Sequence, residues 1–302
     1  MKISIRVPAT SANLGPGFDA LGLALDLWNE TTVTSAEEFL VTVTGEGEDR
    51  LAPGRNNLIV RAAQKLAERV GKTLPPFHAE CVNHVPLSSG MGSSSAAILT
   101  GLLAGNALLD EPFSREEILN FASEMEGHPD NVAPALLGGL VVAIINEGQV
   151  IARQIPIGMD MCITIVLPDF YLPTKQARAA LPKRISMKNA VHNISRAVLV
   201  TEAFRTGDLS LLGKVMTDTL HQPYRLPLIP GAHSALDAAK EAGADAVALS
   251  GAGPGLIAFS SKAEAGIGES MKRTFEAAGL QARIFNLKVG TTGAILEIKK
   301  DE

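Results

Sequence analysis

Apolar and polar positions alternate from Ile3 to Val7, which predicts a β-strand. Phe39–Thr44 and Phe77–Val82 are further strand candidates, and the continuous apolar run Leu140–Ile145 is of strand length. Between them the period changes. Leu58, Ala62, Leu66, Ala67 and Val70 recur at close to helical spacing from Asn57 onward, with Gly71 as the stop. Ser114-x-x-Glu117 reads as a capping box opening a helix that runs to Met125. The stretch Ala96–Leu109 is apolar on all sides but interrupted by Thr100, two glycines and Asn106. It falls short of the ~20 apolar residues of a membrane span and predicts a buried helix instead. Past Gly148 the pattern restarts: a strand at Cys162–Leu167, helices near 187–206 and 208–220, and a break at Pro227–Gly231. A helix, strands at Ala246–Leu249 and Leu256–Phe259, a helix at Lys262–Ala278 and two closing strands follow. Strands and helices are interspersed, with two hairpin-like strand pairs, so the fold class expected is α+β rather than a doubly wound sheet. The restart places a boundary near residue 150, giving expected domains 1–150 and 151–302.

Composition narrows the classes. At 302 residues the chain is long enough for about two domains. With 46% hydrophobic positions and a net charge of −5 it is not a disordered chain. Twenty-seven Lys and Arg against 32 Asp and Glu leave no cationic surplus for displacing counterions, so a nucleic-acid partner is not expected. Cys81 and Cys162 are too few for a disulfide scaffold or a thiolate metal site. No signal-peptide pattern is visible in MKISIRVPATSANLG, so a reducing, cytoplasmic location without a membrane partner is expected. His84, His192, His221 and His233 lack the clustered spacing of a zinc site. They are expected to be structural, as is Cys81 as a small buried hydrophobe. Trp28, after the apolar run Leu21–Leu27, is expected to fill core or an interface.

The chemistry concentrates in PLSSGMGSSSAA, residues 86–97, which runs into the buried helix. Gly90 and Gly92 permit positive φ and close backbone approach. Serines at the helix entry both cap and offer a ligand, and the free N–H groups of a first turn attract an anion. Polyphosphate is thus a candidate ligand without help from a lysine. The loop is not a Walker motif, since no Gly-Lys-Ser/Thr follows, nor a dinucleotide fingerprint, since Ser95 stands where a third glycine is needed. Ser250–Gly255, SGAGPG, joins two strands and reads either as a hairpin turn or as a second close approach of backbone to ligand.

Three segments, PATSANLGPGFDALG (8–22), PLSSGMGSSSAA (86–97) and SGAGPGLIAF (250–259), resemble those of the GHMP small-molecule kinases. EGHPDNVAPALLGG (126–139), TKQAR (174–178) and PYRLPLIPG (223–231) make the homoserine kinase branch the most similar. The resemblance implies a two-domain α+β architecture, with a ferredoxin-like C-terminal domain on the substrate side and the active site in the cleft. It implies ATP and Mg2+ as cofactors, L-homoserine as substrate and a homodimer. The nucleotide would meet Pro86, Leu87, Ser88, Ser89, Gly90, Met91, Gly92, Ser93, Ser94, Ser95 and Ala96, with Asn57 at the adenine and Ser94 and Glu126 as the metal ligands. The substrate would meet Asn13, Asp19, Asp130, Thr174, Arg178, Arg225 and Gly253.

The residue chemistry is compatible with these roles. Mg2+ prefers a few protein oxygens plus phosphate and water. Arginine forks suit a substrate carboxylate, and Asp19 suits an ammonium. The catalytic set is Asn131, Asp130 and Arg178, with two readings left open. Either Asn131 orients the acceptor hydroxyl, as an amide cannot take a proton at neutral pH, or Asp130 is the base. His128, preceding a proline, is expected to shape the loop. The chain departs from the family pattern at Gly255, where Ser or Thr is usual, so no hydroxyl is expected there. Other acceptors on the same fold (mevalonate, a sugar, a shikimate-type alcohol) and an ATP-dependent decarboxylase are the alternatives. Two arginines with Asp19 favour a zwitterion.

Overall fold

The computed structural model describes residues 1–110, 112–158, 160–262 and 265–299. The first strand, β1 (Lys2–Ala12), pairs along its length with β2 (Leu21–Ser35). The alternation ending at Val7 understates β1, because its last six residues are all buried and lose the period-two signature. β3 (Leu40–Gly45) runs parallel to β4 (Phe77–Asn83), and β4 pairs with the far half of β2. The near half of β2 pairs with β5 (Leu140–Asn146), which forms a hairpin with β6 (Gln149–Ile155). Trp28 lies on β2 half-exposed, its ring under the Arg6 guanidinium, so of the two places expected for it, core or interface, it does not fill the core.

Four helices cover this sheet: α1 (Leu58–Arg69), α2 (Ser93–Leu108), α3 (Arg115–Glu126) and α4 (Val132–Leu137). α2 is buried on every side, with Gly101 and Gly105 packed on the Ile59–Ala63 stretch of α1. A Cβ on Gly101 would stand 2.2 Å from the Ile59 carbonyl. The capping box at Ser114 and Glu117 forms as expected.

The second sheet has four antiparallel strands: β7 (Cys162–Pro168), β8 (Ala246–Leu249), β9 (Leu256–Ser260) and β10 (Ala282–Leu287), in the order β10-β7-β9-β8. Its helices are α5 (Thr174–Ala179), α6 (Met187–Thr206), α7 (Leu209–Val215), α8 (Gln222–Arg225), α9 (Ala232–Glu241) and α10 (Ala265–Ala277). Leu256 and Ala258 pack with Ile267, Met271 and Phe275 under α9 and α10. Ile257 and Phe259 face the other way, toward Phe204 of α6, Leu212 of α7 and Leu14, Leu23 and Met91 of the first half. That second cluster joins the two halves. The helix expected over 208–220 stops at Val215, because the Asp218 carboxylate accepts backbone N–H bonds from Leu220, His221 and Gln222 and turns the chain. The helix expected over Lys262–Ala278 is observed as α10, and residues 263 and 264 of that expectation lie outside the described residues.

Two expectations about organisation change. The boundary at residue 150 falls inside β6, whose hairpin partner belongs to the first sheet. The two closing strands do not pair with each other: β10 joins β7, while β11 (Ile295–Lys299) returns to pair with β1. Among the described residues no helix is long and apolar enough to cross a membrane.

Candidate active site

Three turns converge where the halves meet. After β1 the chain passes through Asn13, Leu14 and Asp19 in left-handed conformations. Asn13 donates to the Gly251 carbonyl at 2.8 Å and accepts from the Asp19 backbone N–H at 3.0 Å, tying the first turn to the third. The loop before α2 is tied there too. Ser250 Oγ donates to the Gly90 carbonyl at 2.8 Å, and the Gly255 N–H donates to the Ser89 carbonyl at 3.1 Å. A Cβ on Gly255 would lie 2.6 Å from that carbonyl, so backbone contact occupies the place where a larger residue would stand.

The turns enclose a polar cavity of about 160 Å3. Asn13, Glu126, Asp130, Asn131, Thr174, Arg178, Arg225 and Gly253 line it together with Ser88, Ser89, Gly90, Gly92, Ser93 and Ser94 of the loop. Arg225 is 1% exposed and makes no ion pair with a carboxylate among the described residues. Its guanidinium makes only long contacts, 3.4 Å each, to the carbonyls of Ala177 and Gly251 and to His221 Nδ1, and it lies over the Phe18 ring. Burial, and then the charge of Arg178, push it down to about 10, although Asp19, Asp130 and Asp218 pull the other way. His221 is also fully buried. Its Nε2 lies 2.8 Å from the Gly15 carbonyl, which fixes that nitrogen as the donor and leaves Nδ1 to accept from Arg225.

Arg178 is already engaged. Its two terminal nitrogens pair with both Asp19 oxygens at 2.7 and 3.0 Å, and this hydrogen bonding raises its pKa against burial. Asp130, 1% exposed, is hydrogen-bonded to His128 Nδ1. Burial works against a charge on His128, but the bond to Asp130 and the charges of Asp130 and Glu126 outweigh it and raise the imidazole. Asn131 accepts at Oδ1 from Thr10 Oγ1 at 2.8 Å, which leaves its Nδ2 donors for the cavity.

At the head of α2 the N-cap is Gly92, with φ 73° and no side-chain cap, so the serines do not cap as expected and the first-turn N–H groups have no side-chain acceptor. Ser94 Oγ instead donates to Glu126 Oε2 at 3.0 Å. Ser89 Oγ is spent inside the loop, donating to the Pro86 carbonyl and accepting from the Met91 N–H. Pro86, Met91, Ser95 and Ala96 are buried and line neither this cavity nor its neighbour. On a 100° helical step only Ser93 and Ser94 face the cleft, and the Ser95 hydroxyl is buried with no partner.

The neighbour is a cavity of about 370 Å3 lined by Val43, Leu51, Leu58, Cys81, Ala97 and Asn57, among others. It meets the polar one at Ser88, Ser93 and Ser94. Asn57 is at its wall, but its amide is occupied. It caps α1 by accepting from the Ile59 N–H and donates to the Ala52 carbonyl.

Comparisons with known proteins identify the family and the fold. The family models described as GHMP kinases N terminal domain and GHMP kinases C terminal match residues 57–139 and 200–277. The homoserine kinase of Moorella thermoacetica is 42% identical, covering 97% of this chain and 99% of that protein. The crystal structure of homoserine kinase from Cytophaga hutchinsonii superposes with a TM-score of 0.86 at 31% identity, over 98% of this chain and 97% of that one. The chain belongs to the homoserine kinase family. The mevalonate kinase of L. major, at 15% identity and a TM-score of 0.69, shares the fold.

Within this homoserine kinase family member, Asp19 stands behind Arg178 rather than on the wall of the polar cavity. Sequence reasoning missed four neighbours. Thr10, Phe18 and Ser250 lie in recognised segments, yet only the fold shows that they hold Asn131, Arg225 and Gly90. His221 was set aside as structural because a lone histidine carries no spacing signal. Its proximity to Arg225 one helical turn on, four residues away, was the available cue.

Proposed function

We propose that the chain transfers the γ-phosphoryl group of ATP to the side-chain hydroxyl of L-homoserine, giving O-phospho-L-homoserine, a step of threonine biosynthesis. The observation that carries this substrate class is Arg225: a buried cation without a counter-ion, on the wall of a small polar cavity, fits an anionic group brought by the ligand. Asp130, on the wall of the same cavity, supplies negative charge for an ammonium beside it. The apolar cavity suits the adenosine end of ATP, with the triphosphate passing the uncapped head of α2 into the polar cavity.

The donor set also fits Mg2+. Ser94 Oγ and Glu126 Oε2 are 3.0 Å apart, and neighbouring corners of an octahedron with ~2.1 Å bonds are ~3.0 Å apart. Ser94 and Glu126 would hold the ion, which would neutralise charge on the phosphate oxygens. Asn131, its oxygen taken by Thr10, donates toward the acceptor hydroxyl or the transferring group and does not accept a proton there. The Asp130 carboxylate is shared with His128. Orientation by Asn131 is therefore favoured over base catalysis by Asp130. In a loose transition state the hydroxyl proton leaves late, to phosphate or water.

Coupled ADP release measured with homoserine, mevalonate, galactose, shikimate and diphosphomevalonate tests the reading. Homoserine is expected to lead in kcat/KM by on the order of 10³-fold or more, as a site built to pair polar groups rejects analogues lacking them. A lead by any other alcohol, or release of CO2 from diphosphomevalonate, overturns it.

A further inference from the structure

The apolar cavity beside the loop has a polar floor to which the proposed function assigns no role. Asn57 caps α1 with one end of its amide and holds the Ala52 carbonyl with the other, so its polar atoms are engaged within the protein. The floor is made instead by β2 and β4. Their antiparallel register pairs Thr31 with Cys81, and two residues further along it sets Asn29 opposite Asn83. Residues two apart on a strand share a face, and all four line the cavity. Exposed Arg50 is the only charged residue on its wall among the described residues, and burial raises the Cys81 thiol and keeps it neutral. Such a floor suits an uncharged group that brings hydrogen-bonding atoms of its own.

The two amides are each held at one end. Asn29, 7% exposed, accepts at Oδ1 from the backbone N–H groups of His84 and Val85, both at 2.9 Å. A backbone N–H only donates, so the amide oxygen is at that end and Nδ2 at the other. Among the described residues that Nδ2 has no acceptor. Asn83 is turned the opposite way. Its Nδ2 donates to the Glu46 carbonyl at 3.2 Å, and its Oδ1 has no donor among the described residues. The floor thus offers one donor and one acceptor side by side, since opposed residues stand about 5 Å apart at Cβ. Neither amide is free to turn over. Asn29 would lose two N–H bonds, and Asn83 would set its oxygen against a carbonyl.

We propose that Asn29 and Asn83 select the base of the nucleotide: Asn83 Oδ1 accepts from the exocyclic amine of a 6-aminopurine while Asn29 Nδ2 donates to the adjoining ring nitrogen. The proposal rests on the reading that the nucleoside end of the phosphoryl donor occupies this cavity. A 6-aminopurine presents an N–H beside an acceptor nitrogen on either edge, through N1 or N7. A 6-oxopurine puts an acceptor oxygen where the amine was. That oxygen faces Asn83 Oδ1 with no proton between them, and the Glu46 contact keeps the amide from adapting. Leaving buried polar atoms unpaired is how a site refuses a near-isostere.

Displacement of a ribose-labelled fluorescent ATP by ATP or by inosine triphosphate, with Mg2+ and without any alcohol, tests it. Inosine triphosphate changes the 6-position without adding the 2-amino group of guanine. The wild type is expected to favour ATP by at least ~10-fold. Asn83→Ala removes the acceptor and is expected to bring the two nucleotides within about threefold of each other. Asn29→Asp keeps an oxygen for His84 and Val85 but replaces the donor, and is expected to weaken ATP at least ~10-fold. Thermal melting reports whether each variant is folded. A wild type that binds both nucleotides alike, or an Asn83→Ala chain that keeps the full preference, overturns the proposal. Unchanged ATP affinity in Asn29→Asp overturns the part given to Asn29. Because no alcohol is present, a different acceptor in the ADP-release screen would overturn the proposed function and leave this result standing.

Discussion

Arg225 is held at a thermodynamic disadvantage in the free protein. A guanidinium removed from water without a carboxylate is unfavourable, and three contacts at 3.4 Å compensate it poorly. Function and stability are therefore expected to separate at this residue. Arg225→Met fills the same space without the charge. It should lower kcat/KM for the amino-acid substrate by about 2–5 kcal/mol, while the melting temperature stays level or rises. Steady-state kinetics and calorimetry on one preparation check both halves. His221 beside it must stay neutral. Arg225 and burial disfavour its proton, whereas Asp218, Asp19 and the Gly15 carbonyl favour it; burial dominates and the imidazole lies below its ordinary range. The unfolded chain accepts that proton near pH ~6.5 and the folded chain resists it. Stability tied to His221 is thus present above that pH and lost as pH falls through the folded value. Melting temperatures of wild type and His221→Gln should converge as pH drops from ~7.5 to ~5, and parallel curves would count against the assignment.

The elements meet through backbone more than through side chains. Gly90 has φ 79°, and a Cβ there would stand 2.1 Å from the Ser250 carbonyl. Gly90→Ala should therefore displace the loop at the head of α2. A rise of tenfold or more in KM for ATP is expected, with a stability loss of ~1–3 kcal/mol, read from nucleotide titration and urea unfolding. The two glycines of this loop, and the apolar helix behind it, were legible in the sequence because each leaves a local mark. The use of the serines was not. Ser89, Ser94 and Ser95 are chemically identical in the sequence, and only the helical phase and the position of Glu126 distinguish a loop brace, a partner of Glu126 and a buried orphan. Asn57 illustrates the same limit: its place was expected, but its amide turns out to be engaged by Ala52 and Ile59.

At the scale of the molecule, most strands and helices followed from periodicity, and the α+β class followed from their interspersed order. Two kinds of element escaped. The end of β1 is buried on both faces and lost its alternation, and no strand was expected over β2, whose near half is a continuous apolar run and whose far half is polar, or over the mostly polar β6. The domain boundary escaped for a different reason: punctuation in a sequence marks turns, while a sheet is defined by hydrogen bonds between distant residues. β11 is the clearest case, since its pairing joins Ile298 to Ile3 and Leu296 to Ile5. A ribosome exposes the partner of Ile3 only after almost everything else has left the exit tunnel. The amino-terminal sheet therefore has an open edge throughout translation, and a cell making this enzyme must keep that edge from strangers until the chain's own strand arrives.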